Sequence, residues 1–210
     1  MSLLIVAATE LELKPSIEWL SKSRANYLVT GVGMVATATA LARTLSENEY
    51  QLILNVGIAG CLNQDVPLAS LAHIVQDQVY HFGAETPGGF ISVDELGFGT
   101  SIFQGNSQGV SYKAVSQLEE FKGITVNKVH GTAISVANLK EQFAGEQIVE
   151  SMEGAAVFYA AREFKVPALQ VRSISNYIEV RNKENWKIPE AIESLNNWLL
   201  AFYKEWEAQN

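Results

Sequence analysis

The sequence predicts an α/β protein, a single three-layer αβα domain in which a mostly parallel, mixed sheet is covered by helices on both faces. Seven short apolar segments have the length and composition of buried strands, and segments with helical spacing lie between them. Continuous apolar strands that alternate with helices are typical of a parallel sheet buried on both faces. The 210 residues contain no linker, repeat or low-complexity stretch, so we expect residues 1–210 to form one domain.

The predicted elements follow one another along the chain. Strands are expected at 3–8, 25–30, 51–56, 72–81, 124–130, 147–152 and 168–175, and helices at 10–21, 34–47, 113–121, 137–144 and 153–164. A last helix is indicated by an apolar stripe that packs into the core, formed by Ile188, Ile192, Leu195, Leu199, Phe202 and Trp206. Residues 82–112 are irregular, and a loop of that length in a compact domain is usually functional or an interface.

Composition excludes several classes of protein. The chain has 15 Lys and Arg against 23 Asp and Glu, whereas binding to a phosphate polymer needs a basic face, so we expect no nucleic-acid partner. No apolar run approaches the roughly 20 residues that span a bilayer, and the apolar start is followed by acids, as in a buried strand. Cys61 is the only cysteine, which excludes an internal disulfide and a Cys/His metal cluster. We therefore expect a cytoplasmic protein without a membrane partner.

The first strand-to-helix turn, AATELEL, has two interpretations. Thr9 and Glu12 have the spacing of a capping box, in which acids also complement the helix dipole. Alternatively, Glu10 and Glu12 stand at the carboxyl end of a parallel strand, where open α/β sheets bind their ligands. The residues of this turn alone leave both interpretations open.

The next two turns are rich in glycine. TGVGMVA satisfies the GxGxxA dinucleotide fingerprint, but that pattern needs an acid at the end of the following strand, which here ends in Asn55. NAD binding is therefore a minor alternative. NVGIAGCL ends that strand, and its glycines would let a ligand approach the backbone of Ile58, Ala59 and Gly60. A plain tight turn is the alternative.

Two later segments carry charged residues at strand ends. In ESMEGAA, Glu153 opens a helix of small residues, where a carboxylate can bind two neighbouring hydroxyls; the alternative is an ordinary helix-start acid. In VRSISNYIE, Arg172 lies inside an apolar strand and is expected to need a carboxylate partner, because an unpaired buried charge is costly. The strand then ends in Ser175 and Asn176. Five polar strand ends on one edge are difficult to explain by packing alone.

In this order, AATELEL, TGVGMVATA, NVGIAG, ESMEGAA and VRSISN resemble the motifs of the purine nucleosidase and phosphorylase superfamily over nearly the whole chain. The resemblance implies a nucleoside phosphorylase-like fold and cleavage of the N-glycosidic bond of a purine nucleoside. Phosphorylases carry a basic residue where this chain has ATELE, and Glu10 and Glu12 would repel phosphate, so water is favoured as the nucleophile. The oxocarbenium-like transition state needs a carboxylate-activated water, and neither a metal nor an organic cofactor.

The resemblance also implies the roles of individual residues around the sugar. Glu12 would orient and deprotonate the attacking water. Arg172 would help to hold that water and Glu12. Glu153 would bind the 2′- and 3′-hydroxyls of the ribose, with Met152 under the sugar.

At the base, Ile134 takes the place of a Phe that stacks on the purine in adenosine-type nucleosidases. Asn176, braced by Ser175, would contact N7 and the 6-substituent. Adenosine-type enzymes have Asp at this position, and this difference, with the tail from Ser175 to Trp198, makes the chain most similar to the futalosine hydrolases, which release hypoxanthine in an alternative menaquinone pathway. A methylthioadenosine/S-adenosylhomocysteine nucleosidase is the alternative. A non-catalytic nucleoside-binding protein is an alternative of another class, against which the presence of both Glu12 and Glu153 argues.

The surroundings of the site carry further expectations. The resemblance suggests a homodimer or higher homo-oligomer. Residues 82–112 are predicted to shape the pocket for the 5′-substituent, with or without a second subunit. The aromatic residues of this segment are Phe82, Phe90, Phe98 and Phe103. Arg181 and Lys187 are candidate partners for a substrate carboxylate; the alternative is a solvated basic patch.

Overall fold

Eight strands form one mixed sheet in the computed structural model, which describes residues 2–23, 25–106 and 111–209. The strands are β1 (Leu3–Ala7), β2 (Asn26–Val29), β3 (Leu52–Cys61), β4 (Leu71–Val79), β5 (Gly83–Thr86), β6 (Gly89–Ser92), β7 (Ile102–Gln104), β8 (Glu119–Thr125), β9 (Ile148–Ser151) and β10 (Ala168–Tyr177). The helices are α1 (Glu10–Leu13), α2 (Ile17–Ser23), α3 (Met34–Glu47), α4 (Lys113–Ser116), α5 (Ala133–Gln142), α6 (Gly154–Phe164) and α7 (Ile188–Gln209). Strands β5 and β6 form a separate hairpin.

The sheet curls because β3 pairs with three strands. Its first half pairs in parallel with β1, most of its length pairs in parallel with β10, and its last two residues pair with β9 in the antiparallel direction. β10 continues to β4, β8 and β9, so the sheet returns to β3. Five of the pairings, β1–β2, β1–β3, β3–β10, β4–β8 and β8–β9, are parallel. The predicted mostly parallel, mixed sheet is confirmed; its closure around β3 was not predicted.

Alternate residues of the strands face two layers of helices, because successive side chains of a strand point to opposite faces. On one face, Leu3 and Ile5 of β1 pack with α1, α2 and α7. On the other face, Leu4 and Val6 pack with α3 and α6. The three-layer αβα arrangement is confirmed.

Three predicted helices differ from the structure. The helix expected at 10–21 is two helices, since a break at residues 14–16 includes Pro15, which has no N–H for the helix. The helix expected at 113–121 ends at Ser116, so its second half is wrong. β8 begins at Glu119, and its pairing with β4 and β9 overrides the local helical spacing. α5 begins at Ala133 because Thr132 caps it. The irregular segment 82–112 contains β5, β6 and β7; its residues 107–110 lie outside the described part.

Two further features concern what the protein could bind. Within the described ranges, no helix is long and apolar enough to cross a membrane. No group of three or more His, Cys, Asp and Glu side chains in the same part of the chain is arranged to hold a metal ion.

Candidate active site

Four segments meet around the second half of β3. They are the turn from β1 into α1, the turn into α3, the turn from β9 into α6, and β10. Hydrogen bonds join Glu12 to the backbone of Ile58 and Glu153 to the backbone of Gly33, and Asn176 lies beside Gly60. The structure therefore brings together polar residues that are distant in the sequence.

Glu12 holds the first turn and faces the site at the same time. Its Oε2 accepts hydrogen bonds from the backbone N–H and the hydroxyl of Thr9, both at 3.0 Å, and Thr9 accepts one from the Glu12 N–H, which completes a capping box. Its Oε1 accepts from the N–H of Ile58 at 3.0 Å. The residue is 7% exposed. The two interpretations of this turn, posed as alternatives, thus coexist in one side chain.

Gly57 makes room for Glu12 and Arg172 to approach the same point. A β carbon on Gly57 would overlap Nη1 of Arg172 and lie 2.7 Å from Oε1 of Glu12. Any side chain at position 57 would therefore displace the guanidinium or the carboxylate.

The expectation that a carboxylate pairs directly with Arg172 is wrong. Among the described residues no Asp or Glu oxygen lies within 4.0 Å of this guanidinium, which is 1% exposed. Its hydrogen bond goes from Nη2 to Oε1 of Gln170 at 3.5 Å, and Nε has no hydrogen-bond partner in the same part of the chain. Burial raises the pKa of both Glu153 and Asp77, and the positive charge of Arg172 opposes that shift, so nearby acids compensate the buried charge without a direct ion pair.

Glu153 stands at the N-cap of α6, but its carboxylate does not cap that helix. Oε1 accepts from the N–H of Gly33 at 2.9 Å and Oε2 accepts from the N–H of Met152 at 3.3 Å. Burial raises the pKa of Glu153, whereas Arg172 and the Gly33 amide oppose that shift. Gly33 can present its N–H because its φ of 95° lies in the left-handed region that favours glycine. The interpretation of Glu153 as an ordinary helix-start acid is therefore wrong.

Asn176 has a fixed amide at the end of β10. Its Oδ1 lies 2.8 Å from the hydroxyl of Ser175, which donates to it, and its Nδ2 donates to the carbonyl of Tyr177 at 3.0 Å. The same Nδ2 would lie 3.0 Å from a β carbon on Gly60. One hydrogen of Nδ2 is used by Tyr177, and a second remains for a ligand.

A cleft of about 620 Å³ opens where the loop after β8 meets the loop after β10. It is lined by residues that include Tyr80, His81, His130, Gly131, Thr132 and Arg181. The N–H of Arg181 donates to the carbonyl of Gly131 at 3.0 Å and so ties the two loops together. The lining residues include Lys128 and two histidines and no acid. In a chain with a formal net charge of −8, this cleft is locally basic.

Sequence reasoning missed the pair of residues behind that cleft. Glu150 faces Gly60 across β3 and β9, accepts from the backbone N–H of His130 at 3.2 Å with both oxygens, and contacts Nδ1 of the His130 ring. Because Glu150 occupies Nδ1, Nε2 is the ring nitrogen left for a ligand. Burial raises the pKa of Glu150, and His130 opposes that shift. The signal that could have found the pair is the histidine in KVHG, the last residue of the strand predicted at 124–130.

Most of the predicted site residues do not line the cleft. Glu12, Arg172, Glu153 and Asn176 are not among its lining residues, and neither is Ile134, which is 76% exposed on α5. Phe103 is buried against Arg162 and Tyr159 and is not among the residues that line this cleft. Phe90 stacks on His81 at the edge of the cleft. Lys187 is exposed and pairs with Glu190 at 3.6 Å, whereas Arg181 does line the cleft, with its guanidinium over Trp186.

Comparisons with known proteins show the family to which the chain belongs. The sequence profile of the phosphorylase superfamily matches residues 12–204. The futalosine hydrolase of Streptomyces coelicolor is 35% identical over 82% of this chain and 75% of that protein, and the futalosine hydrolase of Acidothermus cellulolyticus is 31% identical over 87% and 76%. The structure of futalosine hydrolase from Helicobacter pylori has a TM-score of 0.80 at 16% identity and covers 98% of both chains, a likeness that shows the fold. The chain therefore belongs to the phosphorylase superfamily and, within it, to the family of these futalosine hydrolases.

Proposed function

We propose that the protein is a futalosine hydrolase, an N-ribohydrolase that cleaves the bond between the purine and the sugar with water and releases hypoxanthine. The observation that carries the proposal is the buried carboxylate of Glu12, which is fixed by Thr9 and Ile58 and lies, like the guanidinium of Arg172, against Gly57. A carboxylate held in this way can take a proton from water, and the first turn offers no cation for a phosphate nucleophile. The relatives at 31–35% identity carry the same name.

The proposed roles follow the positions of the acids. Glu12 activates the water through Oε1, because Oε2 is occupied by Thr9. Arg172 orients the water and offsets negative charge beside Glu12. Each oxygen of Glu153 accepts one backbone N–H and retains a lone pair, so the two oxygens can accept the two ribose hydroxyls. The ionised form of Glu153 favours the positive charge that develops on the sugar in the transition state.

The remaining contacts of the substrate are proposed from the resemblance to the superfamily. Met152 is placed under the sugar, and the backbone of Ile58, Ala59 and Gly60 beside the base and sugar. Asn176 donates its free N–H to N7 or O6. The basic cleft takes the 5′-substituent, with Arg181 as the candidate partner of a carboxylate on it.

We also propose a homodimer or higher homo-oligomer in the cytoplasm. Large apolar side chains remain exposed at Val35, Phe98 and Ile134, which supports a subunit interface. The single cysteine, Cys61, is buried and free, as a reducing compartment would allow.

Turnover should be independent of phosphate. The substrates are futalosine, inosine and methylthioadenosine in phosphate-free buffer, and free base and sugar are measured by chromatography. We expect hypoxanthine from futalosine, with the free sugar and no sugar 1-phosphate, and an unchanged rate when phosphate is added. Strict dependence on phosphate would indicate a phosphorylase. Faster release of adenine from methylthioadenosine would indicate a methylthioadenosine nucleosidase. Binding of nucleosides without cleavage would indicate a non-catalytic binding protein.

Replacement of Asn176 by Asp should shift the preference from 6-oxopurines towards 6-aminopurines. An Asp carboxylate would direct an acceptor at the Tyr177 carbonyl and at O6 of hypoxanthine, where the Asn176 amide donates. A protonated Asp could donate to N7 and accept from an amino group. Since an unpaired buried polar group costs about 1–3 kcal/mol, the ratio of kcat/KM values for 6-oxo and 6-amino nucleosides should change by roughly 10–100-fold.

The matched control for this substitution is Ser175→Ala. It removes the hydroxyl that braces Asn176 and leaves the amide in place. We expect it to lower kcat/KM for both kinds of nucleoside to a similar degree. An unchanged ratio in Asn176→Asp would mean that Asn176 does not read the base.

A further inference from the structure

We infer that Asp77 is a positioning residue. It holds the side-chain amide of Gln170 and so determines whether the oxygen or the NH₂ group of that amide faces Arg172. The inference rests on the proposed function, because the role of Arg172 in hydrolysis does. Asp77 itself lies within β4 and is 0% exposed, so it is distinct from the groups proposed to touch the substrate.

Asp77 and Arg172 are joined by one buried side chain. Oδ2 of Asp77 accepts a hydrogen bond from Nε2 of Gln170 at 2.7 Å. At the other end of the same amide, Oε1 accepts from Nδ2 of Asn55 at 2.7 Å and from Nη2 of Arg172 at 3.5 Å. All four residues are buried, so water cannot substitute freely for any of these partners.

The chemistry of the two ends allows only one orientation of the amide. An ionised carboxylate only accepts hydrogen bonds, and a guanidinium only donates them. Gln170 must therefore turn its NH₂ to Asp77, and this leaves its oxygen for Arg172. The contact is the only hydrogen bond of the Arg172 guanidinium in the described part of the chain.

Two glycines provide the space for this buried pair. A β carbon on Gly154, the first residue of α6, would overlap Oδ2 of Asp77 and lie 2.6 Å and 2.7 Å from the amide atoms of Gln170. Gly123 on β8 is paired with Asp77, and a β carbon there would overlap the same oxygen. Both neighbouring elements thus lack a side chain where the carboxylate and the amide meet.

The same carboxylate is also connected to the helix that follows Glu153. Thr125 donates its hydroxyl to Oδ1 of Asp77 at 2.7 Å and accepts from the N–H of Ala155 at 2.8 Å. Burial raises the pKa of Asp77 to about 6, against the opposing effects of Gln170, Thr125 and Arg172. Asp77 is therefore ionised, and accepts only, in an assay at pH 8.

The first variant of the test is Asp77→Asn, assayed on futalosine at pH 8. The new asparagine can donate to Gln170, so the amide is free to turn and to present NH₂ to Arg172. We expect kcat to fall by about 10–100-fold, the effect of one unpaired buried polar group, while KM changes by less than about threefold. Thermal unfolding of each variant shows whether it is folded.

The second variant, Asp77→Asn with Gln170→Glu, restores an acceptor in front of Arg172. The new carboxylate at position 170 accepts from the asparagine, from Asn55 and from Arg172, and the net charge equals that of the original protein. We expect kcat to return to within about fivefold of the original value. Gln170→Glu alone places two carboxylates against each other, and it should be slower than the double variant.

These outcomes separate the inference from simple loss of packing. A folded double variant no faster than Asp77→Asn overturns the inference, and so does full kcat in Asp77→Asn. If Asp77→Asn does not fold, the kcat of Gln170→Glu is compared with that of the double variant. A faster double variant supports the inference, and an equal or slower one overturns it. If the original protein cleaves no nucleoside, the proposed function fails. Crystal structures of the original protein and of Asp77→Asn then test the inference. An unchanged hydrogen bond between Arg172 and the Gln170 oxygen in the variant overturns it.

Discussion

Replacement of Glu12 by Gln should lower kcat by about 10²–10⁴-fold, the usual loss when a general base is removed. KM should change little, because Gln retains the shape of the side chain. Stability should also fall. The two oxygens of Glu12 accept from Thr9 and from Ile58, whereas a Gln amide has one oxygen and turns its NH₂ towards another donor. We expect a loss of about 1–3 kcal/mol in the free energy of unfolding, measured by urea denaturation.

Glu10→Gln is the matched control for this experiment. Glu10 lies two residues earlier in the same first turn, is exposed, and changes the charge by the same amount. It should leave kcat within about twofold, since surface substitutions have small effects. A near-normal rate in Glu12→Gln, or equal losses in the two variants, would contradict the role of Glu12 as the base.

Replacement of Glu153 by Gln should impair both binding and turnover. The carboxylate is positioned by the N–H groups of Gly33 and Met152, and each of its oxygens is proposed to accept one ribose hydroxyl. Hydrogen bonds to charged groups contribute about 1.5–3 kcal/mol each, so kcat/KM should fall by roughly 10²–10³-fold, with KM raised and kcat lowered. Steady-state kinetics on futalosine gives both constants.

Substrate analogues identify the hydroxyls that Glu153 binds. In the original protein, 2′-deoxy and 3′-deoxy nucleosides should be cleaved much more slowly than the ribosides. In Glu153→Gln that difference should shrink, because the partner of the hydroxyl has been changed. Glu163→Gln, on the exposed side of the same helix, is the control and should behave as the original protein does. If the penalty for deoxy substrates is the same in Glu153→Gln, that residue does not bind the sugar.

Much of the proposed site could be predicted from the sequence because its residues follow strand ends. Glu12 lies in the helix that follows β1, Glu153 lies two residues after β9, and Asn176 is next to the last residue of β10; strands of one sheet bring such positions together. The same logic could not choose between a cap and a base for Glu12. Geometry shows that Oε2 completes the cap and that Oε1, which accepts from Ile58, is the oxygen available for the proposed role of base.

The rest depended on contacts between distant segments. Asp77 lies in the polar stretch QDQ, which by local pattern alone is typical of an exposed strand; Gly123 and Gly154 make its burial possible. The partner of Arg172 was expected to be an acid. It is instead the side-chain amide of Gln170, which lies two residues earlier on the same strand. Ile134 was placed by similarity of sequence order, and it lies exposed in the first turn of α5, whose start at the Thr132 cap was not predicted.

The threefold pairing of β3 also bears on how the chain acquires its shape. Its partners β1, β9 and β10 come from the beginning and the later part of the chain, as the pairing of Ile53 with Ala168 illustrates. Contacts between residues so far apart form slowly, because the loop between them must close first. A nascent chain in which β10 has not yet been synthesised lacks Arg172. It also lacks the strand that pairs with both β3 and β4. The pocket is therefore completed only after β10 has been synthesised and has paired with β3.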